Sequence, residues 1–76
     1  MKGKKMRLEY KNEIENAFKF WEVKIEGKKV ITTYGRIDRT KNPAETENRF
    51  SSEEAAKKYA EKKIREKMNK GYVEIN

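Results

Sequence analysis

Residues 18–37, FKFWEVKIEGKKVITTYGRI, hold two runs of β-forming and aromatic side chains separated by a short polar turn. In the first run Trp21, Val23 and Ile25 alternate with Phe20, Glu22 and Lys24, the two-residue period of a strand with one buried face. The second run, 30–37, is rich in β-branched residues, which suit a pleated, half-buried surface. Gly27 and Lys28 between the runs predict a two-residue hairpin loop. That loop sets Ile25 opposite Val30, Val23 opposite Thr32 and Trp21 opposite Tyr34. A slip of one residue would exchange the two faces.

The rest of the chain arranges itself around this hairpin. Met6, Leu8 and Tyr10 alternate with Arg7 and Glu9 and predict a preceding strand, joined to the hairpin by the polar turn 12–16. Residues 38–43 read as a loop. Pro43 has no N–H to give a ladder, so the next strand is expected after it, at 44–50, polar apart from Phe50 and therefore at an edge. Ser51 followed by Glu54 has the form of a capping box opening a helix. Ala56, Tyr59, Ala60, Ile64 and Met68 recur at helical spacing as one apolar stripe. Four Glu-to-Lys/Arg pairs at i,i+4, beginning at residues 53, 54, 61 and 66, flank it. Gly71 suits the left-handed position past a helix end, and 72–75 reads as a last short strand. The expected fold is α+β: a small antiparallel β-sheet of four to five strands packed against one C-terminal helix. Residues 1–76 are expected to form a single domain, with 1–5 as a basic tail.

Composition narrows the function. A chain of 76 residues supports one compact core. Only 34% of it is apolar and 43% is charged, yet the apolar residues are clustered and eight are aromatic, which supplies a thin core. The absence of cysteine and histidine removes the thiolate and imidazole ligands from which most metal sites and general bases are built. The nearest carboxylate pairs, Glu53/Glu54 and Glu45/Glu47, are accounted for as helix N-terminal charges and strand residues. No enzyme, metal or cofactor is therefore expected. No apolar run reaches the roughly 18 residues that span a bilayer, and the N-terminus lacks the apolar core of a signal peptide. A cytoplasmic protein without a membrane partner is expected. Twenty Lys/Arg against thirteen Asp/Glu give a net charge of +7, which attracts polyanions. A lysine-rich surface also keeps a small domain soluble, and charge alone does not separate the two readings.

Lys19–Phe20–Trp21, then Tyr34–Gly35–Arg36–Ile37, then Phe50–Ser51 before an alanine-containing helix, and Glu66–Lys67 before Gly71–Tyr72 together resemble the WGR domain over nearly the whole chain. The family is named for a Trp-Gly-Arg tripeptide on a central strand, and Tyr34 stands here in place of its tryptophan. The resemblance implies a small antiparallel sheet against one helix. It is the module of DNA-dependent poly(ADP-ribose) polymerases, where it binds DNA breaks, and of bacterial proteins similar to molybdate metabolism regulators.

From that resemblance Tyr34 would stack on the terminal sugar or base of a strand end, with less ring face than tryptophan offers. The alternative, Tyr34 paired with Trp21 on the buried face, stands beside it. Gly35 would let a backbone N–H approach a phosphate, or would mark a β-bulge. The Arg36 guanidinium suits a two-pronged grip on phosphate, or a contact to protein. Lys67 matches a DNA-facing lysine near the helix end, though it also neutralises the helix dipole there. Tyr72 falls close to the aromatic that follows that helix. Arg39 and Lys41 extend Arg36 into a basic loop, and Lys2, Lys4, Lys5, Arg7 and Lys11 make the N-terminus basic, with phosphates as targets or as a solvated tail. The expected partner is DNA at ends or nicks, with RNA a further candidate and little sequence specificity. The rival is an acidic protein docking on the same edge. A monomer is expected, with pairing between polar edge strands as the other arrangement.

Overall fold

The hairpin of residues 18–37 is the centre of the molecule. The computed structural model describes the backbone of residues 4–37 and 39–75 and the side chains of 5–37 and 43–75. Strands β2 (Ala17–Glu26) and β3 (Lys29–Arg36) pair antiparallel around Gly27 and Lys28, with Ile25 opposite Val30, Val23 opposite Thr32 and Trp21 opposite Tyr34, the expected register. Gly27 has φ +62, the left-handed conformation a tight hairpin loop demands and glycine adopts without strain. Strand β1 (Lys4–Asn12) pairs with β2, β4 (Arg39–Arg49) with β3, and β5 (Val73–Ile75) with β1. The five-stranded antiparallel sheet has the order β4-β3-β2-β1-β5. Helix α1 (Glu53–Asn69) covers one face of it, which gives the expected α+β architecture.

Alternation decides what each face holds. Leu8 on β1, Trp21 and Val23 on β2 and Val30 on β3 share the face beneath α1, where Ala56 and Ala60 bring the helix backbone close; all six are buried. Phe50 closes the core at the start of the helix, its ring 5.0 Å from that of Tyr59. On the opposite face Phe20 is only 4% exposed, a burial that hydrophobic alternation does not predict. Its ring lies against Gly35 on the neighbouring strand and beneath the Arg7 guanidinium, 4.5 Å from the ring centre. The same guanidinium donates to Glu9 at 2.9 Å and to Glu22 at 2.7 Å, so an ion-paired cation lids an aromatic ring.

Three local expectations are corrected. The helix is capped by Ser52, whose Oγ accepts from the Ala55 N–H at 3.1 Å, and not by a Ser51–Glu54 box. The hydroxyl must sit three residues before the N–H it receives, and Phe50, seated in the core, delays the helix by one residue. Residues 39–43, read as loop, belong to β4. Pro43 is tolerated because the pairing of β3 and β4 shifts register between Tyr34 and Arg36, and because β4 is an edge strand as expected. Strand β1 starts at Lys4, so Lys4 and Lys5 stand in the sheet and not in a tail, while 1–3 lie outside the described residues. Among the described residues none of the four expected i,i+4 pairs closes, and Lys63 and Glu66 pair instead, at 3.6 Å with i,i+3 spacing.

At its other end α1 stops in a Schellman motif. Gly71 takes φ +108 and donates its N–H to the Met68 carbonyl, while Tyr72 donates to that of Lys67, at 3.0 and 3.1 Å. This turn brings Tyr72 back over the sheet, its ring 5.5 Å from that of Tyr10, and feeds β5 into place beside β1.

Candidate nucleic-acid interface

The ends of β2 and β3 meet the C-terminus of α1 in a shallow pocket of about 260 Å³, lined by Lys19, Phe20, Tyr34, Gly35, Arg36, Lys67 and Tyr72. Five of the expected site residues, Tyr34, Gly35, Arg36, Lys67 and Tyr72, thus come together from three parts of the chain. Arg39 pairs through its backbone with Arg36, but its side chain and that of Lys41 lie outside the described residues.

Tyr34 opposes Trp21 across the hairpin, yet the two differ in accessibility: Trp21 is 4% exposed and Tyr34 42%. The tyrosine shares Trp21's face of the sheet without belonging to the core cluster. Gly35 sits where the β3–β4 register shifts, between Tyr34, which pairs with Ala44, and Arg36, which pairs with Arg39, so the unmatched residues lie on β4 opposite it. A Cβ there would stand 3.4 Å from the Phe20 ring, which makes the close approach of that ring the local reason for a glycine. Arg36, half-buried, pairs across the ladder with Lys19. Lys19 was not singled out from sequence, although the expected register alone already places it opposite Arg36.

Electrostatics distinguish this end of the molecule. The Lys67 ammonium lies 5.3 Å over the Tyr72 ring, and its pKa is lowered by partial burial and by the nearby charges of Lys70, Lys63 and Lys19. Cations from strand and helix are held close enough to repel one another. Burial, with Tyr10 close by, raises the Tyr72 pKa and keeps that phenol neutral. An anion entering the pocket would relieve the repulsion and meet an exposed aromatic face beside it.

The remaining expected cations lie elsewhere. Lys5, Arg7 and Lys11 are on the outer face of the sheet and form ion pairs with Glu22 and Glu9, at 2.7–3.8 Å. The Arg7 guanidinium in turn holds the Glu9 carboxyl below its ordinary value. Their charge is largely spent within the sheet, and they face away from α1.

The sequence and the fold agree on one family, since residues 4–76 match the WGR domain. The chain belongs to the WGR family. A crystal structure of a Bacteroides fragilis protein superposes on this WGR domain with a TM-score of 0.86 at 33% identity. The match covers 96% of this chain and 20% of that one, so the chain spans about a fifth of the other protein's length. No curated protein matches the chain. WGR domains are known from nucleic-acid-binding contexts.

Proposed function

We propose that this WGR domain is a non-enzymatic module that binds nucleic acid at duplex ends, nicks or strand junctions, with little sequence specificity. The observation that carries the reading is the convergence of mutually repelling cations from β2 and α1 on a pocket walled by an exposed tyrosine. Arg36, Lys67 and Lys19 supply charge for the backbone phosphates that bound a strand end. Tyr34 supplies a ring on which a terminal sugar or base stacks, a contact contributing about 1–3 kcal/mol per base. DNA is the first candidate and RNA the second. Phosphate attraction carries the affinity, which makes it salt-dependent and little dependent on sequence.

The test is fluorescence anisotropy with a short duplex bearing a phosphorylated end or nick, against a closed dumbbell of equal length, across a salt series. The open substrate binds more tightly. Arg36→Ala removes that preference at a cost of about 1.5–3 kcal/mol, the range for a hydrogen bond to a charged group, while Lys5→Ala on the outer face leaves it. Equal, purely salt-driven binding to both substrates defeats the proposal. It favours the rival in which the same edge docks an acidic protein or neighbouring domain, a reading supported by the short share of the Bacteroides fragilis protein that the match covers.

A further inference from the structure

A second surface lies on the other flank of the helix. A groove of about 1450 Å³ runs between α1 and strands β1 and β2, floored by Met6, Val23 and Ile25 and walled by Ala60, Ile64 and Met68. Met68 is 41% exposed although it continues the apolar stripe of the helix. Along the lip of the groove α1 carries Glu53, Lys57, Glu61 and Arg65, one residue every four, with alternating sign. Such a row usually satisfies itself by i,i+4 ion pairs within the helix. Here the described ion pair of the helix is Lys63–Glu66, outside the row, and the four side chains of the lip make none with one another.

The row has a symmetry that decides what fits beside it. When a second copy of α1 is laid antiparallel, with residue 59 of each copy at the centre, Glu53 faces the partner's Arg65 and Lys57 faces the partner's Glu61. The two-fold axis repeats both contacts, so all four charges on each copy are matched. A parallel, in-register copy would set Glu53 on Glu53 and Lys57 on Lys57, and each contact would repel. We infer that the groove and its charged lip are a self-association surface, on which a second copy of this chain docks with its helix antiparallel to α1. Closed two-fold interfaces require this kind of self-complementarity: what one copy offers, the other must accept. Complementary charges fix the register, and burial of Ile64 and Met68 along the groove adds the non-directional attraction.

This inference replaces the monomer expected from sequence, and it does not use the pairing of polar β4 edges. Should the proposed nucleic-acid site also hold, the dimer would carry two such sites at opposite ends of the helix pair. They would lie about 24 Å apart along its axis, at 1.5 Å per residue between 67 and the position it faces. The surface is tested without nucleic acid, so the two readings fail separately.

The experiment is sedimentation velocity and equilibrium on the 76-residue chain at up to about 1 mM, the weak end of specific association. It compares the native chain with a basic-row variant (Glu53→Lys with Glu61→Lys) and an acidic-row variant (Lys57→Glu with Arg65→Glu). All four positions are at the surface, and circular dichroism checks that each variant stays folded. The native chain is expected to form a reversible dimer. Each variant alone self-associates at least about tenfold more weakly, since every pair across the two-fold now repels. An equimolar mixture of the two variants dimerises again, because every basic lip then meets an acidic one. A native chain that stays monomeric to the highest concentration overturns the inference, also where the groove takes another protein's helix. Dimerisation that survives in the basic-row variant, or a mixture that fails to associate, overturns it as well.

Discussion

The two ends of α1 solve the same problem with different chemistry. Both leave backbone groups without intrahelical partners, and both are capped: the N-terminus by the Ser52 hydroxyl and the C-terminus by the left-handed turn at Gly71. At the N-terminus Glu53 and Glu54 stand in the first turn, the sign that the helix dipole favours. At the C-terminus Lys67 would have been enough for the dipole. Lys19, Lys63 and Lys70 stand near it, and partial burial together with their charges lowers the Lys67 pKa. Glu66 offsets part of that crowding, its carboxylate 3.6 Å from the Lys63 ammonium, but the balance at Lys67 still disfavours the charged form. The contrast sets an end capped by one hydroxyl against an end where like charges gather beside the cap.

Four measurements break or sharpen that contrast. The largest effect is expected at Gly71→Ala, where φ +108 is strained for any L-residue and the added Cβ meets the Tyr10 ring at 3.0 Å. Urea unfolding should show a loss of about 1–3 kcal/mol. A loss below that range would mean that the helix end simply refolds around another turn. Ser52→Ala at the opposite end should lose about 1 kcal/mol, the usual worth of an N-cap hydroxyl. An equal loss at Ser51→Ala would return the cap to the residue first expected from sequence.

The third measurement separates binding from folding. Lys67→Met should leave stability within about 0.5 kcal/mol, or raise it, and lower the salt slope of nucleic-acid binding by about one counterion. Lys58→Met, at an exposed position in the N-terminal half, should change neither. A clear loss of stability in Lys67→Met would reassign that lysine to the fold.

The smallest effect lies in the alkaline limb of the stability curve. Between the lowered folded pKa of Lys67 and its ordinary 10.5, the unfolded chain binds the proton more tightly, so stability rises with pH. From the ordinary 10.0 of a tyrosine up to the raised pKa of Tyr72, the folded chain keeps the proton longer, so stability falls. Tyr72→Phe should therefore leave the rise alone and Lys67→Met the fall alone, as read from thermal unfolding between about pH 8.5 and 11.5 (roughly one and a half units either side of the tyrosine value). Identical curves for both variants would dissolve the proposed electrostatic coupling at this end.

The central hairpin was legible because its signals were local and redundant. Gly27–Lys28 allows one loop geometry, and alternation on both strands demands the same register, so loop and pattern agree before any tertiary contact forms. Leu8, Trp21, Val23, Val30, Ala56 and Ala60 could be assigned to one core for the same reason. The positions that misled were those where a neighbour outside the local window sets the answer. Phe20 alternates with core residues and still is buried, because Arg7 and Gly35 on the two flanking strands cover it. Ser52 caps in place of Ser51 because Phe50 is held by the core beside the hairpin turn. Pro43 lies inside a strand because the register shift opposite Gly35 removes the need for a regular ladder there.

The candidate site divides along the same line. Sequence supplied the residue types, Tyr34, Gly35, Arg36, Lys67 and Tyr72, through their resemblance to the WGR pattern. It also supplied the strand period that puts Lys19 opposite Arg36. What it could not supply is distance between elements: that the helix end brings Lys67 to the pocket that Tyr34 lines, that Lys63 and Lys70 stand near Lys67, and that Lys5, Arg7 and Lys11 pair with Glu9 and Glu22 across the sheet. Local pattern fixes which face a side chain takes, because face follows from backbone period alone. Whether that face meets core, counter-ion or solvent depends on chain segments dozens of residues away, and only their packing decides it.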